Sequence, residues 1–113
     1  MEITQEAIND TINKVVLSGR MDFAGTQEID TKFTAYTAAG SKNVIVEMSG
    51  VDFVASIGIR SLITNAKALQ MKGKRLVLLH LQEEVKGVLD TAGITALLTT
   101  FTDESEAIAS FEG

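Results

Sequence analysis

NVIVEMSGVDFVASIGIRSL, residues 43–62, changes character halfway along its length. Residues 43–48 form an apolar, β-branched run, the pattern of a strand covered by helices on at least one face. From Ser56 onward the apolar residues Ile59, Leu62, Ile63, Ala66 and Leu69 recur at i, i+3, i+4, i+7 and i+10. That stripe predicts an amphipathic helix closing near Gly73. Between the two lies a short connection, 49–56, placed at the carboxyl end of a strand, where α/β sheets carry their functional loops. Ser56 stands at the junction of connection and helix.

The rest of the chain repeats the alternation. Residues 3–8 are expected to form a short first strand, and KVVLSG (14–19) a second, ended by Gly19. Ile29, Phe33 and Tyr36 set a helix over 25–39 that stops at Gly40. RLVLLHL (75–81) reads as a strand, 82–92 as a short helix ending at Gly93, and ALLTTF (96–101) as a last short strand. Thr102 or Asp103 then caps a terminal helix with Glu104 and Glu106 in its first turn, where carboxylates favour the helix dipole. The order β-β-α-β-α-β-α-β-α predicts an α/β fold: a mixed, mostly parallel sheet of about five strands with about four helices packed on it. GRMD (19–22) falls at the carboxyl end of the second strand, as 49–56 does at the third.

A chain of 113 residues fits one domain, 1–113, and carries enough apolar residues (45%) to build a core. Without cysteine, both a disulfide framework and a thiolate metal site are excluded. MEITQEAINDTINKVVL lacks a basic flank leading into an apolar stretch, so no secretory signal is expected and a cytoplasmic protein is. No run of about 20 apolar residues occurs, so no membrane contact is expected. The net charge of −5 disfavours direct binding of nucleic acid, whose phosphates need a basic footprint. The nearest basic cluster, KGKR (72–75), has no interleaved aromatic residue and reads as a solvated turn.

Catalytic motifs are missing. There is no GxGxxG opening a helix, no GxxxxGK[ST], no GxSxG and no HExxH. The single histidine, His80, ends an apolar strand run and is read as structural. A receiver-type phosphoacceptor would be an aspartate ending a central strand. Here that position holds Glu47 and Met48, and Asp52 arrives only after a glycine. A small enzyme using His80 or paired carboxylates is the weakest of the readings, and no enzyme is expected.

Ser56 remains. Its simplest role is an N-cap, its hydroxyl accepting from an amide of the first turn, a contact worth about 1 kcal/mol. The same geometry would suit a modification site. A hydroxyl at a helix N-terminus is open to a kinase, and a phosphate placed there meets free amides and the positive end of the dipole. The surface would then gain about −1.5 to −2 charges beside Val54, Ile57 and Ile59.

Three stretches together resemble the STAS-domain family, and within it the small stand-alone anti-sigma factor antagonists of bacteria. VVLSGRMD (15–22) is similar to the family's early strand followed by Ser-Gly-x-hydrophobic-Asp. Residues 43–62 are similar to its strand followed by Asp-Ser-[Ser/Thr]-Gly-hydrophobic at a helix start. RLVLLHLQEEVKGVLDTAGI (75–94) looks like the next strand and its helix. The matches run in the family's order across nearly the whole chain.

The resemblance implies a STAS fold and a partner-switching role. The family's phosphorylatable serine falls on Ser56 and its early acidic residue on Asp22. The unphosphorylated protein would bind an anti-sigma factor that is also a serine kinase, freeing a sigma factor. Phosphorylation would break that complex, and a metal-dependent serine phosphatase would restore it. The implied contact surface is Asp22, Ser56, Ile57, Gly58, Ile59 and Arg60. Two positions depart from the pattern: Ala55 replaces the Asp before the serine, and Ile57 replaces the Ser or Thr after it. Phosphorylation within this motif is thereby confined to Ser56, and no nucleotide or other cofactor is expected. The alternative is a STAS scaffold subunit without a phosphoswitch, docking on a larger complex.

Overall fold

The computed structural model describes residues 1–112. A five-stranded sheet runs in the order β1-β2-β3-β4-β5, built from Glu2–Ala7, Ile12–Met21, Asn43–Val54, Leu76–Leu79 and Thr100–Phe101. β1 and β2 are antiparallel, and every later neighbour pair is parallel. The helices are α1 (Phe23–Tyr36), α2 (Ser56–Gln70), α3 (Glu83–Thr91) and α4 (Glu104–Ala109). This is the predicted mixed α/β architecture, with each expected element present and several of its bounds moved.

The β1–β2 hairpin is tied at its turn by Asn9, whose side-chain oxygen accepts from the amides of Thr11 (2.8 Å) and Ile12 (2.9 Å). Short polar side chains that bond the backbone two or three residues on are what let the chain reverse there. From β2 onward the residues alternate between the two faces of the sheet. Val15, Leu17, Val44, Val46 and Leu78 point to one face, where Ile29 and Phe33 of α1, Leu62 and Leu69 of α2, and Val85 and Leu89 of α3 complete the main core. Ile12, Ile45, Val77 and Leu79 point to the other, under Ala107, Ile108 and Phe111 from the region of α4. Parallel strands taken in sequential order place successive right-handed crossovers on one face, which leaves only the terminal helix for the other.

β2 and β3 are longer than the sequence predicts. Pairing continues past Gly19 and past Met48, to Met21↔Val54. Two register shifts carry it there, between Val16 and Ser18 and between Gly19 and Arg20, each with the extra residue on β3. Bulges of this kind bend a strand without ending it. Gly50 permits the close approach, since a Cβ there would lie 3.0 Å from Ser18 Oγ and 3.2 Å from the Leu17 carbonyl. The connection expected at 49–56 is therefore strand up to Val54, with only Ala55 between it and α2.

Other bounds move for local reasons. α1 begins at Phe23 and ends at Tyr36, not at Ala39. β4 stops at Leu79 because His80 turns into the left-handed region, φ 57°. The expected strand 96–101 shrinks to Thr100–Phe101 as β5, because Ala96 closes a 3₁₀ turn that starts at Ile94 and residues 97–99 are irregular. Asp103, rather than Thr102, caps α4 by accepting from Ser105 N at 2.7 Å. On the α4 face, the Lys14 ammonium donates to the Glu104 carboxylate, which holds its pKa above the usual lysine range. Glu47 lies beside it, and His80 Nδ1 is 3.0 Å from both Glu47 oxygens. His80 thus pairs with Glu47 across β3 and the end of β4.

Candidate functional site

The carboxyl ends of β2 and β3 deliver two helices side by side. The amide of Ala55 donates to the Met21 carbonyl at 2.9 Å, so the start of α2 is hydrogen-bonded to the residue just before Asp22. Both helices place a glycine third, Gly25 in α1 and Gly58 in α2, and both glycines press on the end of β2. A Cβ on Gly25 would sit 2.1 Å from the Arg20 carbonyl, and one on Gly58 would sit 2.9 Å from Met21 Cβ. Only a residue without a side chain lets each first turn come this close.

Asp22 caps α1. Its Oδ1 accepts from Gly25 N at 2.7 Å, and its Oδ2 is 3.7 Å from Arg20 Nε. The Arg20 guanidinium in turn lies 4.2 Å from the ring centre of Phe53, a cation–π contact on the surface. At α2 the N-cap is Ala55, with an extended backbone and no side-chain hydrogen bond. Ser56 is thus the first residue inside the helix, not its cap, and the predicted capping role is corrected. Its hydroxyl is exposed. Among the described residues, no acceptor serves the amides of Ser56, Ile57 or Gly58.

The remaining expected contact residues divide. Arg60 is exposed, and Ile57 and Ile59 are half-buried, Ile59 packing against the main core. Gly58 is buried against Met21, so it shapes the helix start and presents no surface of its own. Missing from the sequence reading are Phe23, 63% exposed and next to Asp22 in the chain, and Phe53, 38% exposed and lying against the Arg20 guanidinium. The signal for Phe53 was an alternation thrown out of phase by the bulges. For Phe23 it was a helix beginning two residues earlier than expected.

Further along α2 from Ser56, α1 and α2 meet through buried polar side chains. Thr37 Oγ1 lies 2.6 Å from both Asn65 Oδ1 and the Phe33 carbonyl and donates to one of them, while Asn65 Nδ2 donates to the Ser61 carbonyl at 2.9 Å. Buried polar groups satisfied in this way fix the register of two helices. The site therefore has a firm backing. Chemically, the arrangement offers an exposed hydroxyl, a capping carboxylate, a guanidinium and two exposed rings. Among the described residues, no cluster of three or more potential metal ligands occurs, and no helix is long and apolar enough to cross a membrane.

Comparison with known proteins agrees with this geometry. The family model described as the STAS domain matches residues 5–107. A curated protein of Bordetella bronchiseptica (strain ATCC BAA-588 / NCTC 13252 / RB50), named "Putative anti-sigma factor antagonist BtrV", is 24% identical over 112 residues, covering 99% of this chain and 96% of its own. The structure of the anti-sigma factor antagonist SpoIIAA in its unphosphorylated form is similar at TM-score 0.79 and 21% identity, over 99% of this chain and 97% of that one. The phosphorylated form of the Bacillus cell fate determinant SpoIIAA is similar at TM-score 0.70 and 20% identity, over 96% of this chain and 98% of that one. Two helix starts on neighbouring parallel strands, an antiparallel first strand and a match over residues 5–107 lead to one conclusion: the chain belongs to the STAS domain family.

Proposed function

We propose that this protein is an anti-sigma factor antagonist, a binding module without enzymatic activity, switched by phosphorylation of Ser56. The observation that carries the reading is the exposed Ser56 hydroxyl on the first turn of a helix whose leading amides have no acceptor, next to Asp22. The unphosphorylated surface of Asp22, Phe23, Phe53, Ser56, Ile57 and Arg60 binds an anti-sigma factor that is also a serine kinase. Aromatic rings and arginine on such a face are the residue types that anchor protein interfaces. The bound kinase transfers the γ-phosphoryl group of ATP to Ser56 Oγ, releasing ADP and the hydroxyl proton.

The phosphate adds about −1.5 to −2 charges, and the first-turn amides of α2 and the dipole accommodate it without unfolding. The partner interface does not accommodate it. A dianion beside Asp22, in a chain of net charge −5, must be desolvated for the complex to form, and nothing in the apolar part of the patch compensates. A serine phosphatase hydrolyses the phosphoserine and restores binding. The cycle runs in the cytoplasm, with no direct contact to nucleic acid or membrane.

The test is a pull-down from the native cell with the wild-type chain, Ser56→Ala and Ser56→Glu. Ser56→Ala should retain the kinase partner, and Ser56→Glu should lose it by at least roughly thirtyfold in affinity, the ~2 kcal/mol expected of an uncompensated charge at an interface. Equal affinity of the two variants would overturn the switch and favour a scaffold.

A further inference from the structure

The opposite end of α2 holds a second concave site. A cavity of about 240 Å³ opens between the C-terminal half of α2, the start of β4 and the segment that leads from the 3₁₀ turn into β5. Its lining residues on α2, Ile63 to Gln70, lie roughly 10–20 Å along the helix from Ser56. The two sites do not share residues.

Ile63, Ala66, Leu76 and Leu98 supply an apolar lining, and Leu97, 66% exposed, stands at the edge. The same cavity is lined by Lys67 and Lys74. Neither has a carboxylate within 4.0 Å among the described residues, although acidic side chains outnumber basic ones in this chain, 15 to 10. Arg75 also reaches the lining, but its guanidinium is engaged elsewhere. It donates to the Ser110 carbonyl at 3.1 Å and lies 5.6 Å from the Phe111 ring centre. Two uncommitted ammonium groups beside an apolar hollow form a complement to one class of molecule.

We propose that this cavity binds a small organic carboxylate with an apolar body. The apolar part replaces water against Ile63, Ala66, Leu76 and Leu97, which is favourable in proportion to the area covered. The carboxylate is met by Lys67 and Lys74, whose ammonium groups stay at the wet edge while their stems line the hollow. The size agrees with the class. Drug-sized ligands need about 300–1,000 Å³, and a dry cavity of about 150 Å³ takes benzene, so the occupant is a medium-chain or single-ring acid. This reading is independent of the phosphoswitch.

Octanoate is a suitable probe, titrated into the isotope-labelled full chain and followed by amide NMR shifts. The shifts should saturate and concentrate at Ile63, Ala66, Leu97 and Thr99. 1-Octanol should bind at least tenfold more weakly, because it lacks the charge. The double variant Lys67→Glu/Lys74→Glu should also lose at least tenfold, while Lys32→Glu/Lys86→Glu, with the same change in net charge, should bind as the wild type does. Leu97→Gln, at an exposed position that leaves folding intact, should weaken binding from the apolar side. Shifts that spread over the surface or fail to saturate, equal affinity for the alcohol, or indifference to both the lysine pair and Leu97 would each overturn the proposal.

Discussion

The two helices that begin at the carboxyl ends of β2 and β3 are near copies in shape and opposites in polarity. Each sets a glycine third and lays its first turn against the end of β2. α1 carries its own anion: Asp22 accepts from Gly25 N at 2.7 Å. α2 has Ala55 in the same place and leaves its first amides without an acceptor. A helix whose cap is built in has no use for an added anion. A helix whose cap is missing keeps a vacant positive end, with the exposed Ser56 hydroxyl on its first turn. The difference between Asp22 and Ala55 is what separates a structural helix start from one that modification can address.

The comparison can be broken most severely at the glycines. Gly25→Ala should cost about 3 kcal/mol, since its Cβ meets the Arg20 backbone carbonyl and overpacking cannot be relieved by a side-chain rotation. Gly58→Ala should cost less, about 1–2 kcal/mol, because the overlap is smaller: its Cβ would lie 2.9 Å from Met21 Cβ, against 2.1 Å from the Arg20 carbonyl for Gly25. Urea denaturation measures both, and equal losses would show that the closeness of the glycine contact does not set the cost at the two helix starts.

Exchanging the caps is the next effect in size. Asp22→Ala should destabilise by about 1 kcal/mol through loss of the bond to Gly25 N. Ala55→Asp should do the reverse for α2, raising stability by about 0.5–1 kcal/mol, because the extended N-cap backbone is already in place. A thermal melt reads both. No gain in Ala55→Asp would mean that the α2 amides are satisfied by solvent as well as by a carboxylate.

The smallest effect sharpens the comparison. Ser56→Glu should change stability by no more than about 0.5 kcal/mol, as a carboxylate in the first turn of a helix is tolerated or mildly favourable. The same variant is expected to lose the partner, so a melt and a pull-down on one protein separate folding from recognition. A large drop in its melting temperature would place the effect of phosphate on the fold instead of the interface.

Much of this was readable from the chain. The strand–helix alternation around 43–62 set the α/β class, because periods of 2 and 3.6 are imposed by backbone geometry and appear in any half-buried element. Asp22 and Ser56 were found as a pair because both follow strand-ending patterns. The errors cluster where the backbone leaves regular geometry. The two bulges in β3 moved the strand end from Met48 to Val54, and an apolar–polar alternation carries no mark of an inserted residue. That shift is why Ser56 is the first helical residue rather than the cap, and why Phe53 reaches the surface. The burial of Asn65 was equally hidden, since its partner Thr37 caps the far end of α1, 28 residues away in the chain.

By itself, then, the sequence determined the order of elements, the apolar faces and the residue types that gather at one end of the sheet. Those depend on local periodicity and on the chemistry of single side chains. Only the tertiary structure decided which helix start is capped, which rings stay in solvent and which lysines stand beside a hollow with no carboxylate partner among the described residues. Each of these is a relation between residues far apart in the chain, fixed by bulges, close glycine contacts and packing that no local pattern records.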